Sequence, residues 1–218
     1  GDNIEKLPGF AEGAWWVQDI AASLPARLLG DGEGRHVLDL CAAPGGKTLQ
    51  LAAQSWKVTA LDISKRRLEL LKSNLKRTGL AASTVRADAL TWEPKHQFDA
   101  ILLDAPCTAT GTARRHPDVL HRIGARQIEE MAELQAALLD RAKGWLKPGG
   151  IFIYATCSLE REEGEDQTSA VDLAPLPIAL ENLPAGLEPT AEGWLRTDPG
   201  MLGEVGGLDG FFIARWGT

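Results

Sequence analysis

The chain lacks any apolar run near the roughly 20 residues that a membrane-spanning helix needs, so a membrane protein is not expected. It opens without a basic-plus-apolar leader, which argues against secretion. Cysteine is scarce. Cys41, Cys107 and Cys157 are widely spaced and form no C-x-x-C, which argues against a zinc ribbon or a disulfide framework. Free thiols fit a reducing cytoplasm. No G-x-G-x-x-G is present, and Gly46-Lys47-Thr48 has no glycine at P-loop spacing ahead of it, so a dinucleotide or triphosphate site is disfavoured. There is no excess of positive charge either: 23 Lys and Arg against 30 Asp and Glu leave a net −7. That sum points mildly away from nucleic acid, although the distribution of charge counts for more. Repeats and low-complexity tracts are absent. Residue 1 is Gly rather than Met, so the sequence reads as a piece cut from a longer chain.

What remains is an ordinary globular composition. With 218 residues, 44% hydrophobic and 24% charged, the chain suffices for one α/β domain with a sizeable core. Residues 1–35 read as a lead-in, irregular over 1–14 and helical near 16–29. From residue 36 short apolar runs alternate with amphipathic stretches. Strands are expected at 36–41, 57–63, 83–87, 98–104 and 150–156, with a final, antiparallel one at 210–216. Leu68, Leu71 and Leu75 mark one face of a helix that Ser64 can cap. A long helix is expected over about 125–146, stopped by Lys147-Pro148-Gly149-Gly150, and a shorter one near 161–173. Alternating strands and helices imply a mostly parallel sheet with every parallel strand ending on one edge. Ligands bind at that edge in such sheets.

Each strand end carries a polar or reactive group: Cys41 to Thr48, Asp62, Asp88, Asp104 to Cys107, and Thr156 to Ser158. One such group is usually a cap or turn former; five together favour an active site. The small residues after the first strand let a ligand approach a helix N-terminus. Asp62 suits two ribose hydroxyls, and Asp88 can accept from an adenine amino group. The set points to a nucleoside without a polyphosphate, such as S-adenosylmethionine. Most free cysteines are buried fillers, but Cys107 and Cys157 follow turn residues at strand ends, where a thiolate nucleophile is the sharper reading.

These strings resemble the Fmu/Sun (RsmB-like) family of RNA cytosine-C5 methyltransferases. The match is carried by Leu38 to Thr48 (LDLCAAPGGKT), Asp104 to Cys107 (DAPC), Arg114 to Asp118 (RRHPD), Tyr154 to Ser158 (YATCS) and Asp209 to Phe212 (DGFF). Gly13 with Val17, Gln18 and Asp19 resembles the segment ahead of the cofactor loop. The resemblance implies a Rossmann-like, S-adenosylmethionine-dependent methyltransferase fold: a mostly parallel, seven-stranded sheet with helices on both faces, over residues 36–218. Cofactor-binding residues would be Cys41, Ala42, Ala43, Pro44, Gly45, Gly46, Lys47, Asp62, Arg67, Asp88 and Asp104. Cys157 would attack C6 of cytosine, Cys107 would assist product release, and Asp104 would sit between cofactor and base. Lys47, Arg114, Arg115 and His116 would contact RNA. No metal is implied, and a cytoplasmic monomer is expected, acting on small-subunit 16S rRNA. Family members of this type carry an N-terminal NusB-like RNA-binding domain, which is absent from these residues. Where the family often has Asn after paired acids, Gly164 follows Glu162 and Glu163 here.

Two basic stretches offset the acidic total. Residues 63–77 carry a local +5, for which a solvated helix face and an RNA surface weigh evenly. Residues 106–126 carry +3, and there phosphate contact is the better reading. Trp15 and Trp16 fit core packing better than base stacking. The rivals are a tRNA enzyme, a DNA-type methyltransferase attacking through Cys107, an NAD-linked oxidoreductase, and a non-catalytic RNA-binding module.

Overall fold

A computed structural model describes residues 3–218. Its helices and strands run α1 (Ile20–Arg27), β1 (His36–Leu40), α2 (Gly46–Ala53), β2 (Lys57–Asp62), α3 (Lys65–Thr78), β3 (Ser83–Arg86) and β4 (Phe98–Asp104). They continue with α4 (Val119–Arg122), α5 (Ala125–Lys143), β5 (Leu146–Thr156), β6 (Ala174–Pro175), β7 (Leu195–Arg196) and β8 (Phe212–Gly217). One sheet in the order β3-β2-β1-β4-β5-β8-β6 holds them, with β7 also paired to β8. The first five strands are parallel, and β8 is antiparallel to β5 from Ile151↔Gly217 to Thr156↔Phe212. No helix of the described residues is long and apolar enough to cross a membrane.

The side-chain period of two explains the layering. On β4, Ala100 and Leu102 face the layer that holds Leu49 of α2 and Leu68 and Leu71 of α3. Ile101 and Leu103 face the other layer, with Leu138, Leu139 and Ala142 of α5. β5 alternates likewise, Ile153 and Ala155 on one side, Phe152 and Tyr154 on the other. Both faces are covered, so these strands read as continuous apolar runs. β1 lies between β2 and β4, where the strand order reverses. The crevice beyond the carboxyl ends of β1 and β4 is therefore the place for a ligand.

The sequence-based strands stand nearly where expected, and the differences have local causes. The sheet has eight strands, not seven, because β6 and β7 are two-residue additions against β8. The lead-in helix spans only Ile20–Arg27, begun by Asp19, whose side chain accepts from Ala21 N. Ser64 caps α3 by accepting from Arg67 N, and Gly79 ends it in a left-handed conformation. α5 closes at Lys143, three residues early, and Lys147 to Gly150 form an irregularity inside β5 rather than a turn before it. Residues 161–173 make two 3-10 turns, Arg161–Glu163 and Glu165–Ala170, instead of one helix. Gly164 separates them; a Cβ there would meet the Arg196 guanidinium at 2.7 Å and Phe212 at 2.8 Å. The chain takes Gly because Arg196 fills that space, donating to Ser158 O and Glu165.

Candidate active site

The loop after β1 is stitched in place by backbone contacts. Cys41 takes a left-handed φ of 58°, and Gly45 one of 112°. Asp62, at the end of β2 and 2% exposed, accepts from Ala43 N at 3.1 Å and Ser64 N at 2.9 Å. The Arg67 guanidinium donates to Ala43 O and lies 3.8 Å from Asp62. Below the loop, Asp39 is fully buried and accepts from the Thr48 hydroxyl at 2.6 Å, which fastens α2 to β1. Burial pushes its carboxyl up to about 7, and its second oxygen has no partner.

Two cavities flank this loop. The smaller, of about 210 Å³, brings together Cys41, Asp62, Arg67 and Asp88, with Pro106, Leu134 and Leu138 as apolar wall. Burial pushes the Cys41 thiol up to about 12, aided by the Asp104, Asp62 and Asp39 carboxylates, so it stays protonated. The larger cavity, of about 510 Å³, is lined by Ala42, Ala43, Pro44, Gly46 and Lys47 on one side and by Asp104, Cys157 and Phe211 on another. Gly45 lines neither; it makes the turn into α2, and a Cβ there would meet Leu71 at 2.9 Å.

Lys47 and Asp104 form an ion pair of 2.7 Å inside the larger cavity. Burial pulls the Lys47 ammonium down, but the charges of Asp104 and, further off, Asp39 and Cys157 outweigh it and raise its pKa. Its Nζ also sits 5.5 Å from the centre of the Phe211 ring. Across the same cavity Cys107 Sγ and Cys157 Sγ lie 3.4 Å apart. The hydrogen bond with Cys157, burial and the nearby Glu163 hold Cys107 well above the ordinary thiol range. Cys157 reaches the cavity, whereas Cys107 stands behind it.

Arg114 and Arg115, expected to contact RNA, are already matched with acids. Arg115 holds Asp209 through two hydrogen bonds, and Arg114 reaches Asp19 at 3.2 Å and Asp209 at 3.8 Å. Arg115 lines the larger cavity; Arg114 and exposed His116 do not. Trp15 packs edge-on to Phe10 and donates to Pro8 O, as expected of a packing residue, while Trp16 joins the cavity wall beside Phe10 and Val17. The sequence reading missed this aromatic wall, and also Glu163. That residue is fully buried and accepts from Thr108 N, Gln135, and the hydroxyls of Thr108 and Ser158. The doublet Glu162-Glu163 after a strand-end cysteine was its only signal.

An open α/β sheet with acids at the ends of β2 and β3 and a small-residue loop entering a helix defines the Rossmann-like methyltransferase class. The chain resembles solved structures of that class. It matches NSun6 from Pyrococcus horikoshii, solved with SFG, at 30% identity and a TM-score of 0.84, over 98% of this chain and 56% of that one. It matches a methyltransferase homologue from the same organism at 32% identity and a TM-score of 0.81, over 98% and 71%. More narrowly, residues 26–216 match the model of the 16S rRNA methyltransferase RsmB/F family, and the chain belongs to that family. Ribosomal RNA small subunit methyltransferase B from Shewanella oneidensis is 43% identical, over 98% of this chain and 50% of the relative. The chain spans about half the length of the curated relatives it matches.

Proposed function

We propose that this chain is the catalytic part of a cytoplasmic, S-adenosylmethionine-dependent enzyme that methylates C5 of a cytosine in small-subunit ribosomal RNA. The carrying observation is that Cys157, with Cys107 3.4 Å behind it, lines the cavity that also holds Lys47 and Asp104.

The smaller cavity fits the nucleoside end of the cofactor. Each carboxylate oxygen of Asp62 accepts one backbone N–H and keeps a lone pair for a ribose hydroxyl. One Asp88 carboxylate oxygen accepts from Leu90 N at 2.9 Å, and the other accepts no hydrogen bond from the described residues. Its apolar wall suits an adenine face. When bound, the cofactor supplies an electrophilic methyl group on a sulfonium.

The rest is chemistry of the chain's own side chains. Cys157 shares the larger cavity with the Lys47 ammonium and the Arg115 guanidinium. Cys157 Sγ adds to C6 of the cytosine, and the electron pair displaced from the C5=C6 bond makes C5 nucleophilic. After methylation C5 gives its proton to solvent in the open cavity, and the electrons of that C–H bond expel the Cys157 thiolate and restore the ring. Asp104, oriented by Lys47, holds the amino edge of the base. Cys107, kept protonated, donates towards the departing sulfur. The target base must leave its stack for this geometry, and Phe10 and Trp16 are among the residues that line the cavity receiving it. Cys157 lines the cavity and Cys107 stands behind it, which favours Cys157 as nucleophile over the DNA-type arrangement.

The test is a covalent trap. With RNA and S-adenosylmethionine, Cys107→Ala should accumulate a denaturant-stable protein–RNA adduct and Cys157→Ala should form none. The reverse pattern exchanges the two roles. No adduct and no methylation in any variant removes the reading.

A further inference from the structure

Glu163 is a buried acid that the chemistry above does not use. It lies six residues beyond the nucleophile of the proposed reaction, in the first 3-10 turn after β5. Oε1 accepts from Thr108 N at 2.9 Å and from Gln135 Nε2 at 3.0 Å. Oε2 accepts from the hydroxyls of Thr108 and Ser158. Thr108 follows Cys107 and Ser158 follows Cys157, so one carboxylate touches the neighbour of each thiol. Gln135 of α5 also donates to Pro106 O at 2.8 Å, on the other side of Cys107. The Glu163 carbonyl accepts from Tyr154 OH at 2.6 Å, which fixes the turn against β5. A fully buried carboxylate is costly unless its lone pairs are filled, and here four donors fill them. Ordinary packing would be met more cheaply by an apolar side chain, so the arrangement needs another reason.

We propose that Glu163 is a positioning residue that latches the loop after β4 to the loop after β5 and thereby fixes the spacing of Cys107 and Cys157. The inference rests on the proposed roles of the two thiols for its meaning, but not for its measurement. Glu163 hydrogen-bonds neither sulfur; its charge reaches Cys107, but its bonds hold the thiols through their neighbours Thr108 and Ser158. Without the latch the two loops are tied beside the sulfurs by the Thr110 hydroxyl, 3.3 Å from that of Ser158 and accepting from Leu159 N at 3.0 Å, and by Gly111 N donating to Cys157 O at 3.0 Å, none of which holds the Cys107 side of the pair at Thr108 or Pro106. The effective concentration of one thiol at the other then falls.

The 218-residue protein tests this through disulfide closure, which needs no methyl transfer. Diamide takes two electrons and two protons from Cys107 and Cys157, and peptide mass spectrometry follows the Cys107–Cys157 bond. Glu163→Ala should close that bond at least tenfold more slowly than the unaltered protein, with an unchanged folded circular dichroism spectrum. Glu163→Gln, which keeps the shape and can exchange donors with the two hydroxyls, should stay within about threefold. In methyl transfer, Glu163→Ala should lower kcat and leave KM for S-adenosylmethionine unchanged. Closure at the unaltered rate in folded Glu163→Ala overturns the latch. If Glu163→Ala does not fold, Thr108→Val decides: slower closure supports the latch and unchanged closure overturns it. A protein that closes its disulfide as expected but never methylates RNA would sink the proposed reaction and leave the latch standing.

Discussion

Asp39 offers a sharp test of the energetics beneath the cofactor loop. Its carboxyl is fully buried, it accepts from one hydroxyl, and its other oxygen is unpartnered. Burial raises it from the ordinary carboxylate value of 3.8 to about 7. The sign follows from proton counting. Between about pH 4 and 7 the unfolded chain has lost this proton and the folded chain retains it, so stability falls as pH rises through that window. Three pH units at about 1.4 kcal/mol each give an upper bound of roughly 4 kcal/mol. Asp39→Asn keeps an acceptor for Thr48 and cannot ionise. Urea unfolding of both proteins at pH 4.5, 5.5, 6.5 and 7.5 isolates the group, because all other titrations cancel in the difference. The unaltered protein should lose about 1–3 kcal/mol relative to Asp39→Asn across the series, which begins above the foot of that window, most of it below pH 7. Two curves parallel within about 0.5 kcal/mol would refute the reasoning.

Other consequences are simpler to read. Thr48→Val leaves the Asp39 carboxylate with no donor and should destabilise the fold by about 1–3 kcal/mol, measured by urea unfolding at pH 7.5. Gly45→Ala places a Cβ 2.9 Å from Leu71 at a φ of 112° and should cost about 1–3 kcal/mol; a thermal melt reads this as roughly 2–4 °C per kcal/mol in a domain of this size. Arg114→Gln and Arg115→Gln should each lower the salt slope of RNA binding by well under the ~0.7 unit of a full phosphate contact to a single strand, since Asp19 and Asp209 already match their charge. A full unit lost on either would show that the ion pairs open for phosphate.

Much of this architecture was legible because it is periodic. The short apolar run from Phe98 to Asp104 and the Leu68, Leu71, Leu75 spacing depend only on neighbours in sequence, and both stand as read. β6 and β7 carry no period, being two residues each, and exist only because β8 offers them an edge. The strand-end acids and thiols were legible for a topological reason: a parallel sheet delivers every strand end to one rim. Glu163 and Gln135 were not, since their partners lie 55 and 28 residues away and no local pattern encodes such a bond. The ion pairing of Arg114 and Arg115 was hidden likewise, because Asp209 stands 94 residues beyond Arg115.

That last separation bears on how the protein is made. Asp209 N donates to Asp19 at 3.1 Å across 190 positions, and β8 docks on β5 only after the intervening 3-10 turns are laid down. A nascent chain emerging from its own ribosome therefore has cofactor loop and both thiols outside the tunnel long before the wall holding Arg115, Asp209 and Phe211 can close. The larger cavity is completed late, with the docking of one strand.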